Sequence, residues 1–346
     1  MSSLVQPTFN LQVSKAQHDI GGSSVQQDNG LRAEINGSDG SKAVVVAVFD
    51  GHGTDRGQFF SEMCKDQLQE IITKENFKDR FDANPEAVGH ETFFKMHNAC
   101  FHYNKDRLNL LGKEFQEKDG LIHTDNIKEI SGGTTATVII ATDKGQVHCF
   151  NAGDSDAWLI NGYKSTILTG DHSPECPAEY ERIQASWPET KHIFDYNWRC
   201  GIAERKDGNH VFPKRNGFIG YYRKNLSGDM ATLIRVTYNG QHSHLAMTRS
   251  IGDEPHRHGG VTWEPSYVSC QAGPNSVIKI ASDGYWDSIV NSDIGRTTQH
   301  KVSKHGYDAD ALCQKWFRET EKTAKQHFGS TRDNMWGYIV TITNKD

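Results

Sequence analysis

The run "AVVVAVF", Ala43–Phe49, passes without a spacer into "DGHG", Asp50–Gly53. Seven consecutive apolar residues rich in valine describe a strand covered on both faces, not one that alternates between core and water. An acid at the end of such a strand must be solvated, paired or bound to a cation, because a lone buried carboxylate is costly. The same juxtaposition recurs in this chain. "SVIKIASDGYWD" puts Asp283 and Gly284 after an apolar run, and "VHCFNAGDSDAW" does so with Gly153 and Asp154. "TRDNMWGYIVTI" sets Asp333 and Asn334 just before a terminal strand. One such acid is ordinarily a turn or a helix cap. Four of them beside strong strands point to carboxylates converging at one end of a sheet. With no matching Cys/His set, oxygen donors select hard divalent ions, Mg²⁺ or Mn²⁺.

Other stretches read as strands are Thr134–Ala141, Gln146–Asn151, Trp158–Ile160, Thr232–Tyr238, Ser276–Ala281 and Tyr338–Thr343. Helical spacing appears in 56–73, with Phe59, Phe60, Met63, Cys64, Leu68, Ile71 and Ile72 on one face. It returns in 91–111, where Phe93, Phe94, His97, Cys100, Phe101, Asn104 and Leu108 share a face, and again in 308–328. His97 reads as a core or boundary residue. The polar stretch Gly112–Asn126 reads as a surface excursion. Many strands with few long helices give an α+β layered fold with mainly antiparallel sheets. No Pro/Ser-rich linker divides the 346 residues, so a single domain is expected.

The longest apolar run is far short of the roughly 20 residues of a membrane span, and the first residues lack a basic start followed by an apolar stretch. An intracellular protein, cytoplasmic or nuclear, is therefore expected. Seven scattered cysteines without a C-x-x-C pair read as reduced thiols. The formal net charge of −6 argues against nucleic acid as a partner.

"VFDGHG", "SGGTTATVII", "NAGDSDAW", "GDHSP", "LAMTRSIGD", "IASDGYWD" and "RDN" stand in one order along the chain. In that order the chain resembles the metal-dependent serine/threonine protein phosphatases of the PP2C family, from about Asp19 to Thr343. The resemblance implies a four-layer α-β-β-α sandwich of two antiparallel sheets flanked by helices. It implies one phosphatase domain over 1–346, with an enlarged flap or insertion at about 176–240. It also implies a monomer that acts on phosphorylated proteins, away from membranes and nucleic acid.

Carried onto this sequence, Asp50 resembles the carboxylate bridging two metal ions, with the Gly51 carbonyl on one of them. Asp283 and Asp333 resemble ligands of the other. Asp28 matches an acid held through water, and Asp154 one that helps hold a third, weaker ion. Asn334 and Asp287 would shape the surroundings, unless they are a plain cap or turn. Two such ions neutralise a phosphate ester and lower the pKa of a bridging water, so that hydroxide attacks phosphorus directly. His52 resembles the donor that protonates the leaving alkoxide; its alternative is to cap the turn or bond Asp50. His242, His244, His256 and His258 read as surface or hydrogen-bonded histidines before they read as a zinc site.

The chain departs from the family at three places. Ser23 stands where the family commonly grips phosphate with arginine, and Arg56 is the substitute considered. Gln27 replaces the usual glutamate, offering a neutral oxygen in place of a charge. From Asp171 to Asp253 the chain runs about 80 residues, long for a connection. This segment carries Trp187, Phe194, Tyr196, Trp198, Phe212, Phe218, Tyr221 and Tyr222, so it is expected to pack and to govern which phosphoprotein docks. The substitutions at 23 and 27 also admit a pseudophosphatase, the same fold used as a binding module. A hydrolase of small phosphoesters is a third reading.

Overall fold

Period two decides what the opening strand does. In Lys42–Phe49, Val44, Val46 and Val48 face one core while Ala43, Val45, Ala47 and Phe49 face another. A strand with two buried faces must lie inside a layered structure. The computed structural model describes residues 8–15, 25–53, 56–74, 76–195, 202–204, 232–238, 240–289, 293–329 and 332–345.

Two five-stranded antiparallel sheets carry the layers. The first runs Ser266–Gln271, Gln146–Ala152, Ala136–Thr142, Lys42–Phe49, Asn29–Asn36. The second runs Phe9–Lys15, Gly337–Asn344, Ser276–Ala281, Ala157–Asn161, Lys164–Ile167. Between them Val46, Val48 and Ile139 meet Ile278, Ile280 and Val340. Helices Gly57–Ile72 and Pro85–Leu110 cover the outer face of the first sheet through Phe60, Cys64, Phe93 and Cys100. Helices Ile294–His305 and Ala309–His327 cover the second through Val302, Leu312, Trp316 and Phe317. The four layers are those expected. Among the described residues no helix is long and apolar enough to cross a membrane.

Several local expectations are corrected. The stretch expected as one strand at Thr134–Ala141 is broken: Gly133–Thr134 belongs to a separate ribbon and Ala136–Thr142 to the sheet. Phe59 and Phe94 stand 37% and 48% exposed, against the faces assigned them, over Tyr103 and Trp263. The excursion Gly112–Asn126 is not purely a surface feature. It folds a hairpin whose Ile122 plugs a small core with Phe101, Leu108 and Ile130. The edge strands Asn29–Asn36 and Ser266–Gln271 escaped notice because each has one polar face.

The insertion supplies helix Pro177–Ser186 and a sheet ordered Ile202–Glu204, Lys191–Asp195, Thr232–Tyr238, Gln241–Leu245. Ile183, Ile234, Val236 and Leu245 form its own core. Trp187 lies over Gly260, where a Cβ would come within 2.8 Å of the indole. Tyr196, Trp198, Phe212, Phe218, Tyr221 and Tyr222, the side chain of Phe194, and Ser23 lie outside the described residues.

Candidate active site

Asp50 is held by its backbone before its carboxylate does anything. Its carbonyl accepts from the Thr135 N–H at 2.8 Å and from Thr134 Oγ1 at 3.0 Å. Its own N–H donates to Thr135 Oγ1 at 3.1 Å. The break in the expected strand is thus the clamp on the acid. Beyond it, Gly51–His52 pairs with Gly133–Thr134, which pairs in turn with Ile251–Gly252. A Cβ on Gly51 would lie 2.2 Å from the Gly57 carbonyl oxygen, so only glycine lets this ribbon pass the helix start.

The strand-end acids converge. One carboxylate oxygen from each of Asp50, Asp154 and Asp283 lies within 4.8 Å of the others. Asp283 opens the helical turn Asp283–Trp286, and its N–H donates to Asp50 Oδ2 at 3.4 Å. Asp287 and Asp333 line the same cleft, of about 640 Å³. Asp28 lies behind it, 2% exposed, accepting from Ser282 Oγ at 2.7 Å. Asp154 therefore stands in the same trio as Asp50 and Asp283, with Asp333 on the wall beside it.

Burial, and then the charges of Asp28, Asp283, Asp333 and Asp154, push the Asp50 carboxyl well above the usual range. Asp28 is raised well above it too, by burial and by Asp333 and Asp283, despite the opposing bond from Ser282. Carboxylates so crowded cannot all ionise unless cations sit among them. The donor set is all oxygen, which fits a hard divalent ion and gives a soft one nothing to bind.

Asn334 and Gln27 brace this arrangement. The Asn334 N–H donates to Asp333 Oδ1 at 2.7 Å, and its Oδ1 accepts the Gln27 N–H at 2.9 Å. The Gln27 side-chain Nε2 donates to the Gly53 carbonyl at 3.1 Å. Glutamine ties the turn after His52 here, which a glutamate carboxylate has no proton to do. Asp287 caps the turn that Asp283 starts, its N–H donating to the Asp283 carbonyl at 2.7 Å.

His52 Nε2 lies 2.6 Å from Asp253 Oδ2, which also accepts from Ser250 Oγ at 2.7 Å. Burial pulls the His52 pKa down, but the charge and bond of Asp253 outweigh it and leave the ring raised. Asp253 is lowered in spite of its burial by His52, His256 and Ser250. Sequence reasoning gave Asp253 no role. Its signal was the Gly-Asp that ends "TRSIGD", and in the fold Asp253 takes a left-handed φ of 50°. The insertion is latched alongside: Glu179 accepts from Arg249 at 2.6 Å, Arg182 at 2.8 Å and Thr248 Oγ1 at 2.7 Å. Burial pushes the Glu179 carboxyl up, yet these donors bring it down to about 2.

Arg56, the substitute considered for the phosphate grip, is engaged with backbone. Its guanidinium donates to the carbonyls of Lys128 and Glu129, bracing the turn Ile127–Ile130. His256 is buried, not on the surface, 3.8 Å from Asp253 through Nδ1. His242 pairs with Thr237 Oγ1 at 2.8 Å, and His258 Nε2 lies 3.0 Å from the Ile122 carbonyl. His97 is buried on its helix.

A family model described as protein phosphatase 2C matches residues 22–327. The chain is 26% identical over 244 residues to "Probable protein phosphatase 2C 78" of Arabidopsis thaliana, an alignment covering 70% of this chain and 45% of that one. The chain thus spans less than half the length of that relative. Its fold is similar to the crystal structure of serine-threonine phosphatase 2C from Toxoplasma gondii, with TM-score 0.59 and 17% identity, covering 98% and 96% of the two chains. It is also similar to the catalytic domain of the serine threonine protein phosphatase PstP in complex with two manganese ions. That TM-score is 0.54 at 13% identity, covering 97% and 100%. At such identities the likeness is one of fold.

Proposed function

Given that this chain belongs to the protein phosphatase 2C family, we propose that it is a Mg²⁺- or Mn²⁺-dependent phosphatase acting on phosphoserine and phosphothreonine in proteins. The observation that carries this reading is the convergence of Asp50, Asp154 and Asp283, with Asp333 beside them, in a cleft that also holds His52. Asp50, the Gly51 carbonyl, Asp283 and Asp333 would hold two ions, with Asp28 reached through water and Asp154 serving a third. Bound there, divalent ions supply charge neutralisation and an acidified water for attack on phosphorus.

The chain's own residues supply position and a proton. Asp50 is clamped through its backbone, so its carboxylate needs little reorganisation. The proton at issue is the one His52 holds at Nε2 against Asp253, since Nδ1 is buried from solvent. The charge and bond of Asp253 raise the ring's pKa, which favours the protonated ring as donor to a leaving alkoxide.

Asp253→Asn tests this role. Without the carboxylate, burial is opposed only by the weaker pulls of Asp154 and of the Asp50 backbone, so the ring loses its proton at lower pH. The alkaline limb of the kcat profile is expected to move to lower pH, and kcat to fall about tenfold to a hundredfold, with KM for the peptide little changed. An unmoved limb would assign Asp253 a purely structural role.

The reading as a whole is tested by hydrolysis of a phosphothreonine peptide with Mn²⁺ and then with chelator. Turnover that appears with the metal and vanishes with the chelator is expected. Gln27, whose amide braces Gly53 where the family has an acid, favours the pseudophosphatase, and a wild type with no Mn²⁺-dependent turnover would establish it.

A further inference from the structure

Asp253 reaches His52 from a backbone that resists the pose. Its φ is 50° and that of Gly252 is 85°, two successive left-handed residues. Its N–H donates to the Gly132 carbonyl at 3.0 Å, and its carboxylate crowds Gly133, where a Cβ would come within 2.3 Å of Oδ2. A strained conformation beside a reacting group persists only where its surroundings over-determine it. Upstream, the pairing of Ile251–Gly252 with Gly133–Thr134 does this. Downstream, the chain passes into the single helical turn Glu254–Arg257, too short to hold itself.

Glu254 is the side chain that this turn sends inward. It is fully buried, and neither carboxyl oxygen meets a hydrogen-bond partner among the described residues. Oε1 lies 3.8 Å from Nε2 of His97, which is buried on Pro85–Leu110 with its ring nearly parallel to that of Trp263. Burial raises the Glu254 carboxyl to about 8 against the pull of Arg257. Burial also lowers His97 well below its ordinary value, and the charge of Arg257 adds to this. At physiological pH the two meet as a neutral carboxyl with one O–H to give and a neutral imidazole with one nitrogen to accept. Across 3.8 Å, a small side-chain adjustment or one water joins them. If filling space were the whole task, leucine or methionine would do it without the cost of burying a carboxyl. What glutamate adds is direction.

Resting on the phosphatase reading, we propose that Glu254 is a positioning residue: bonded to His97, it pins Glu254–Arg257 against Pro85–Leu110 and so aims Asp253 at His52. His97, a core or boundary residue by its sequence, is the other half of the pin.

Two substitutions separate aim from filling. Glu254→Met occupies the space without the bond, and Glu254→Gln keeps a neutral donor. The methionine variant should melt at or above the wild type, since it buries no carboxyl. It should nevertheless lose about tenfold in kcat on a phosphothreonine peptide with Mn²⁺, with KM little changed. The glutamine variant should keep kcat within about threefold. His97→Leu should lose as much as Glu254→Met, and the double variant no more than either.

A second readout needs no turnover. The His52 Nε2 proton, shared with Asp253 across 2.6 Å, should give a strongly deshielded resonance in the Mg²⁺-loaded protein, assigned by its loss in Asp253→Asn. That resonance should survive Glu254→Gln and be lost or shifted upfield in Glu254→Met and His97→Leu. A resonance unchanged in Glu254→Met, or a kcat unchanged there when the wild type is active, makes the side chain a filler and overturns the proposal. Equal losses in the glutamine and methionine variants overturn it too, as does a wild type without the resonance. If the resonance follows Glu254 as expected and no peptide is hydrolysed, the phosphatase reading falls and the pin stands.

Discussion

Asp50→Asn is expected to melt above the wild type when metal-free, while losing about three orders of magnitude in turnover, the scale of several kcal/mol of transition-state stabilisation. Both effects have one cause. The Asp50 carboxyl is buried against Asp28, Asp283, Asp333 and Asp154, so its pKa in the fold lies well above the 3.8 of an unperturbed aspartate. A carboxyl raised in the folded state contributes stability that is fully present below the unfolded pKa and is lost as pH rises through the folded one. The metal-free wild type should therefore weaken as pH rises from about 4 toward neutrality, and the asparagine variant much less. At neutral pH the difference should be about 1–3 kcal/mol, or several degrees in Tm. Mn²⁺ reverses the order. At a hundredfold excess over its dissociation constant a ligand adds about 2.7 kcal/mol, which the wild type gains and the variant largely forgoes. Melting curves at pH 5 and 8, with and without Mn²⁺, decide the matter. Equal melting of the two metal-free proteins at both pH values would show that the acids do not strain the fold.

The strand-end acids were legible in the sequence because each follows or precedes an apolar run whose period leaves no doubt about burial. Lys42–Phe49 and Ser276–Ala281 are core strands on inspection, and what terminates them must sit at a sheet end. The long helices were legible for the same reason, although Phe59 and Phe94 were misplaced because helical spacing cannot tell the centre of a buried face from its margin. Tertiary partnerships were not legible. Asp253 lies 201 residues from His52, and nothing local marks it as the partner of that ring. Arg56, next to the site in sequence, is drawn away by two carbonyls of a turn some seventy residues on. Lys279 makes the same point inside a core strand: it is 1% exposed, with its ammonium nitrogen 4.0 Å from the centre of the Trp316 ring. Period alone would have placed an apolar residue there.

Gly284→Ala should damage the site without touching an acid. Gly284 follows Asp283 in the turn Asp283–Trp286, and a Cβ there would lie 2.0 Å from the Asn334 carbonyl oxygen and 3.1 Å from Asp333 Cβ. The first distance is far inside van der Waals contact with backbone, so the turn and the segment before Gly337–Asn344 must separate. That separation pulls Asp333 from Asp283 and strains the Asn334 bond to the Gln27 N–H. Overpacking of this kind costs about 1–3 kcal/mol, and a shift of about 1 Å at a reacting centre costs about a hundredfold in rate. The variant should show that loss in kcat/KM, weaker Mn²⁺ binding by titration, and a lower Tm. Gly273→Ala is the matched control: its nearest neighbour would be Asn161 Nδ2 at 3.5 Å, ordinary contact, so it should stay within about 0.5 kcal/mol of wild type. Mn²⁺ affinity and turnover within twofold of wild type in Gly284→Ala would mean that Asp283 and Asp333 need not be held together. The glycines after Asp50 and Asp283 are then the sequence's mark of where two backbones must pass close enough for their carboxylates to share a cation.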